Sequence, residues 1–75
     1  MIKKEFNSAL IVGLGLIGSS LARALKEYKL VEHIFGLDNK IENIKKCKEL
    51  GFLDQGFDSL KNFSNQFDLI IICSP

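Results

Sequence analysis

Three glycines lie within six residues near the start of the chain, at Gly13, Gly15 and Gly18 of the segment GLGLIG. Glycine at the first position allows a sharp turn, and at the second it lets a ligand approach the backbone closely. The third allows a helix to pack tightly against a strand. Such a turn binds a diphosphate through the backbone N–H groups at the helix start. The glycines, with Leu16 and Ile17 between them, are therefore candidate dinucleotide-binding residues.

An acidic residue, Asp38, follows the glycines by about 20 residues and ends the segment HIFGLD. A carboxylate at this place accepts hydrogen bonds from the ribose hydroxyls of a dinucleotide and repels a 2′-phosphate. We therefore expect NAD rather than NADP as the cofactor. The next two residues, Asn39 and Lys40, are further candidates, although we expect the Lys40 side chain to face solvent.

Four segments have the composition of β-strands. The first and last are apolar without alternation, which is typical of strands buried on both faces of a parallel sheet. The third is short and weak. In chain order the predicted strands are 9–12, 33–38, 55–57 and 68–73.

Amphipathic segments lie between these strands and predict helices. The first helix is expected over 16–29, and the second extends through Leu50 after a capping box of Asn39 and Glu42, with Gly51 as its stop. A short helical turn is expected from Asp58 toward Phe63. The apolar faces predicted by spacings of three and four are Ile17, Leu21, Ala24, Leu25 and Tyr28 in the first helix, and Ile41, Ile44, Cys47 and Leu50 in the second.

This alternation of strands and helices predicts an α/β fold, the N-terminal part of a doubly wound parallel sheet of the Rossmann type, with helices on both faces. Such a domain continues with more strands, so we expect residues 1–75 to be a partial dinucleotide-binding domain and a fragment. Ligands bind beyond the carboxyl ends of the strands. Cys73, Ser74 and Pro75 are candidates for that reason, whereas His33 begins a strand and is not.

The composition narrows the classes of partner. The net charge is +1 and the basic residues are dispersed, so we do not expect nucleic acid binding. No apolar run approaches the length of a membrane helix. Cys47 and Cys73 are far apart and outside any Cys/His cluster, which favours a reducing, cytoplasmic compartment and no metal site.

Three segments carry a resemblance to a known family: IVGLGLIGSSLARALKE, IFGLDNKIENIKKCKELGFLDQG and FDLIIICSP. They resemble the N-terminal NAD-binding portion of prephenate dehydrogenases, and the resemblance extends over 9–75. The ending CSP departs from the Ala-Val-Pro or Thr-Pro that relatives commonly have there.

The resemblance implies NAD-dependent oxidative decarboxylation of prephenate to 4-hydroxyphenylpyruvate, in tyrosine biosynthesis. In that family the histidine base and the substrate-binding arginines follow the first four strands. We therefore expect no catalytic residue within this chain and no activity from it alone. The resemblance also implies a full-length enzyme that is a homodimer with prephenate or arogenate as substrate.

Other functions remain open at the level of sequence. Arogenate dehydrogenase and other NAD-dependent dehydrogenases share this first half-domain. A nucleotide-sensing regulatory module would use the same Rossmann site without catalysis. A continuation containing a helical domain with His and Arg would favour the enzyme, and a small ligand-binding α/β module would favour the sensor.

Overall fold

A computed structural model describes residues 6–59 and 67–73 of the chain. These residues form strands and helices in strict alternation up to β3, as the sequence predicts. The elements are β1 (Phe6–Val12), α1 (Leu16–Glu27), β2 (Val31–Leu37), α2 (Ile41–Glu49), β3 (Gln55–Phe57) and β4 (Leu69–Ile72).

The strands of this described part form one parallel sheet in the order β3-β2-β1-β4. From β1 the chain moves outward through β2 to β3, and β4 then pairs with the other side of β1. The strand order therefore reverses at β1. In open α/β sheets a crevice forms at such a reversal, beyond the carboxyl ends of the strands. The expected fold class, a Rossmann-type parallel sheet, is confirmed.

Both described helices pack against the same face of the sheet. Ile11, Gly36 and Gly56 are register partners on that face. Gly18 of α1 lies over Ile11, and Ile44 of α2 lies against Gly56. The expectation of helices on the second face stays a prediction. The buried core on the helix side is Ala9, Ile11, Leu14, Ala22, Leu25, Val31, Ile34, Ile44, Cys47 and Leu53.

The opposite face of the sheet is also apolar. Phe35 stacks on Phe57 with ring centroids 6.2 Å apart and meets Phe67 edge-on at 5.3 Å. On the same face Ile70 and Ile72 of β4 are 56% and 72% exposed. The prediction that this strand is buried on both faces is therefore wrong for the described residues. The reason is that β4 is an edge strand in this part of the sheet, and no described helix covers this face.

Helix α1 begins where predicted but ends two residues early, because Lys29 adopts a left-handed conformation with φ 55°. Its buried residues are Gly18, Ala22 and Leu25. Ile17 and Tyr28, which we predicted on the apolar face, are 73% and 65% exposed. The buried stripe runs along Gly18, Ala22 and Leu25, and those two side chains lie outside it.

The start of helix α2 differs from the predicted capping box. Lys40 occupies its N-cap position without a side-chain hydrogen bond, so the capping box of Asn39 and Glu42 does not form. The Lys40 N–H instead donates to Asp38 Oδ1 at 2.8 Å. Gly51, at φ 79°, is confirmed as the stop after the helix.

The ends of the elements differ slightly from prediction. Strand β1 begins three residues earlier than 9–12, and β2 is displaced toward the N-terminus of 33–38. Strand β3 agrees, and β4 lies within 68–73. Ile41 and Leu50, predicted on the apolar face of α2, are both 56% exposed at the ends of that helix. Residues 60–63 of the predicted helical turn lie outside the described residues, and so do 74 and 75.

We expect Gly18→Ala to destabilise the fold by about 1–3 kcal/mol, because a Cβ there would overlap the carbonyl oxygen of Gly13. A matched control is Gly15→Ala, where a Cβ meets no heavy atom within 4 Å and φ is −69°. That change is expected to cost less than about 1 kcal/mol. Urea denaturation measures both, and equal midpoints for Gly18→Ala and the wild type would contradict this packing.

Candidate functional site

A cleft of about 660 Å³ lies at the carboxyl ends of the strands. All four strands contribute to it, either by their last residue or by the loop that follows. Its lining residues are Val12, Gly13, Gly15, Leu37, Asp38, Asn39, Lys40, Asn43, Asp58, Ser59 and Cys73.

The glycine turn forms one wall of the cleft. Gly13 has φ 96°, a left-handed conformation that glycine adopts without strain, and its N–H donates to the Leu37 carbonyl at 2.7 Å. Gly15 is the N-cap of α1, where no side-chain hydrogen bond caps the helix. The first-turn N–H groups have no partner within a helix and carry the positive end of its dipole. The turn therefore presents unpaired N–H donors at the cleft, an arrangement that can hold an anion.

The other candidates from this segment contribute differently. Gly18 does not line the cleft. It is buried in the first turn of α1, where it packs against the Gly13 carbonyl and so shapes the turn. The side chains of Leu16 and Ile17 are 86% and 73% exposed. Neither lines the cleft, although Leu16 lines a smaller cavity next to it. These two residues can contribute their backbone N–H groups to a bound anion.

Asp38 forms the centre of the opposite wall. Its Oδ2 accepts hydrogen bonds from the Leu14 N–H at 2.7 Å and from the Asn43 side-chain amide at 3.1 Å. Its Oδ1 accepts the Lys40 N–H at 2.8 Å. The carboxylate therefore joins the glycine turn to the start of α2.

These contacts set the charge of Asp38. Burial raises the pKa of its carboxyl, but the Lys40 and Leu14 N–H groups, the Asn43 amide and the Lys40 charge outweigh burial. The net effect holds this pKa below its usual value of 3.8. Asp38 is therefore ionised at neutral pH and places a negative charge in the cleft, next to the N-terminus of α1.

Of the remaining predicted site residues, some line the cleft and others lie outside the described residues. Asn39, Lys40 and Cys73 line the cleft, and both Asn39 and Lys40 are exposed. His33 is exposed on β2 and does not line the cleft. Ser74 and Pro75 lie outside the described residues, so their predicted roles are not tested.

Sequence reasoning missed five residues that line the cleft: the strand ends Val12 and Leu37, and the polar residues Asn43, Asp58 and Ser59. Asp58 and Ser59 follow a strand only three residues long, and their position beyond its carboxyl end was a usable signal. Asn43 lies in the first turn of α2, where helical patterning shows only a polar residue. Its contact with Asp38 depends on how that helix meets the loop.

The described residues contain neither a metal-binding cluster nor a membrane-spanning helix. Within residues 6–59 and 67–73, no group of three or more His, Cys, Asp or Glu side chains could hold a metal ion. No helix in the same part of the chain has the length and apolar character needed to cross a membrane.

The chain is similar in sequence to known dehydrogenases. No protein-family model matches it. It is 35% identical over 71 residues to cyclohexadienyl dehydrogenase of Zymomonas mobilis, covering 93% of this chain and 24% of that protein. It is 33% identical over 69 residues to prephenate dehydrogenase of Bacillus subtilis, covering 92% of this chain and 19% of the relative.

A solved structure shares the fold. This is the crystal structure of prephenate dehydrogenase from A. aeolicus in complex with hydroxyphenyl propionate and NAD+, with a TM-score of 0.80 and 35% sequence identity. The match covers 92% of this chain and 24% of that chain. The chain thus spans about a quarter of these relatives or less, and its resemblance to prephenate dehydrogenases is confirmed over that portion.

We expect the contacts of Asp38 to make the fold sensitive to acid. Because the folded pKa is depressed, the stabilisation is complete above the usual value of 3.8 and is lost as pH falls through the lower, folded value. Asp38→Asn should therefore destabilise the chain by about 1–2 kcal/mol at neutral pH and by much less near pH 2. Urea denaturation at both pH values measures this, and a difference that does not change with pH would contradict the assignment.

Proposed function

We propose that this chain is the NAD-binding part of a prephenate dehydrogenase. Two features support this proposal: the uncapped N-terminus of α1 and the ionised Asp38 carboxylate. Both lie at one cleft, where the strand order reverses. The relatives carry the names prephenate and cyclohexadienyl dehydrogenase, and the solved structure contains NAD+. The observation that carries the proposal is the placement of Asp38 opposite the glycine turn.

The described residues fit this cofactor. The first-turn N–H groups of α1 would bind the diphosphate, because Gly15 has no side chain to obstruct them and open space surrounds its Cβ position. Asp38 would accept a hydrogen bond from the adenosine ribose. When bound, NAD accepts a hydride from the substrate. The residues of this chain bind and orient it.

The charge in the cleft favours NAD over NADP. Backbone donors hold both oxygens of Asp38, so the carboxylate is fixed and ionised where a 2′-phosphate would lie. Lys40 is the neighbouring cation, but its side chain is exposed to solvent and does not neutralise the carboxylate in an ion pair within the described structure. A 2′-phosphate would therefore be repelled.

For the whole protein, we propose oxidative decarboxylation of prephenate or arogenate by a homodimer in the cytoplasm. Residues 6–59 and 67–73 offer no histidine or arginine on the cleft, so catalysis would rest on residues outside this part of the chain. The free thiols of Cys47 and Cys73 agree with a reducing compartment. The names of the relatives favour a dehydrogenase over a nucleotide-sensing module.

Calorimetric titration of the 75-residue chain with NAD and NADP tests the cofactor assignment. We expect NAD to bind more tightly, and Asp38→Asn to weaken NAD binding by about 1–3 kcal/mol through loss of a charged acceptor. Asp68→Asn is the matched control. Like Asp38, Asp68 accepts two backbone N–H groups, but these belong to Asn7 and Ser8 of β1, at the end of that strand far from the cleft. Equal loss in both variants, or no preference between the dinucleotides, would refute the assignment.

Gly15→Ala tests the role of the turn. Since the fold has room for a Cβ there, the variant is expected to remain folded but to bind NAD at least tenfold more weakly, because the methyl group occupies the approach to the N–H groups. Circular dichroism checks the fold, and calorimetry measures the affinity. Wild-type affinity in a folded Gly15→Ala chain would exclude diphosphate binding at this turn.

A further inference from the structure

The Asp38 carboxylate has limited capacity for a ligand. An ionised carboxylate offers about four acceptor positions. Within the described part of the chain, three donors use them: the N–H groups of Leu14 and Lys40 and the amide of Asn43. Oδ2 accepts two of these bonds and Oδ1 accepts one. About one acceptor position, on Oδ1, is therefore left for a bound group.

A ribose has two adjacent hydroxyls, and each is a donor. Two backbone N–H groups are fixed on Asp38 by the turn and by the start of α2, so neither can move away without deforming the loops. Asp38 by itself therefore accepts one hydroxyl directly. The second hydroxyl needs another acceptor within the same cleft.

Asn43 offers that acceptor. Its side-chain Nδ2 donates to Asp38 Oδ2, and this orients the amide so that its own Oδ1 points away from the carboxylate. The residue is half-buried, lines the cleft and is anchored by its backbone N–H, which donates to the Lys40 carbonyl at 3.1 Å. The hydrogen bonds found among the described residues include none to Asn43 Oδ1.

We propose that Asn43 is a second ribose-binding side chain, whose Oδ1 accepts one hydroxyl of the adenosine ribose while Asp38 Oδ1 accepts the other. This inference rests on the proposed function and adds a residue that the glycine pattern and its acid do not indicate. The bond between the two side chains fixes the spacing of the two acceptors. Because both ligating atoms are acceptors, neither of them would hydrogen-bond a 2′-phosphate.

The test pairs substitutions with NAD analogues that lack either the adenosine 2′-hydroxyl or the 3′-hydroxyl. We expect Asn43→Ala to weaken NAD binding by about three- to tenfold, the scale of one hydrogen bond. One of the two analogues should bind the variant and the wild type equally, because the hydroxyl that Asn43 accepts is already missing. Asp38→Asn should lose least affinity for the other analogue, because the hydroxyl that Asp38 accepts is already missing there.

Two features keep folding and binding effects separate. Alanine has a higher helix propensity than asparagine, so Asn43→Ala should not melt α2, and circular dichroism verifies this. Asn7→Ala is the matched control, because Asn7 is exposed near the start of β1 and distant from the cleft. It should bind NAD and both analogues as the wild type does.

The proposal is supported if the Asn43 and Asp38 substitutions lose their effect with different analogues, because each side chain is then coupled to a different hydroxyl. Coupling of both to the same hydroxyl would show that Asn43 only positions Asp38, and unchanged NAD affinity in Asn43→Ala would exclude any role; either result overturns the inference while leaving NAD binding intact. If the wild-type chain binds no dinucleotide, the proposed function itself fails.

Discussion

The hydrogen bond from the Leu14 N–H to Asp38 Oδ2 holds the site together. It joins the turn after β1 to the loop after β2 at 2.7 Å, across a gap of 24 residues in sequence. Since both loops line the cleft, this bond sets the distance between the start of α1 and the carboxylate. The Lys40 N–H and the Asn43 amide extend the same contact to α2. One ionised side chain therefore organises three segments that a dinucleotide would have to bridge.

The glycines make this arrangement possible by two different constraints. Gly13 supplies a left-handed turn, and Gly18 allows α1 to approach the carbonyl of that same residue. Together they direct the start of α1 toward the cleft. Gly15 then leaves the helix N-terminus uncovered. Gly18 thus serves packing and Gly15 leaves access to the helix start, and the spacing of the glycines brings the two together.

Much of this was predictable from sequence, because it depends on local chemistry. The glycine spacing and the acid after the second strand indicated both walls of the cleft, and the apolar runs indicated the strands. The start of α2 was not predictable: Asn39 has a side chain suited to capping, yet Lys40 takes the N-cap position and its N–H is bonded to Asp38. The exposure of Ile17 likewise depends on Gly18 being the buried residue of that turn, which periodicity does not reveal.

The proposed function depends above all on the start of α1, where the diphosphate of NAD would bind. An NMR titration of the isotope-labelled chain tests it most directly, because it reports on each backbone N–H separately. We expect NAD to shift the amide signals of Gly15, Leu16 and Ile17 most, and to leave that of Glu32, at the far end of the sheet, unchanged. Saturable shifts located elsewhere, with these three signals unmoved, would contradict it.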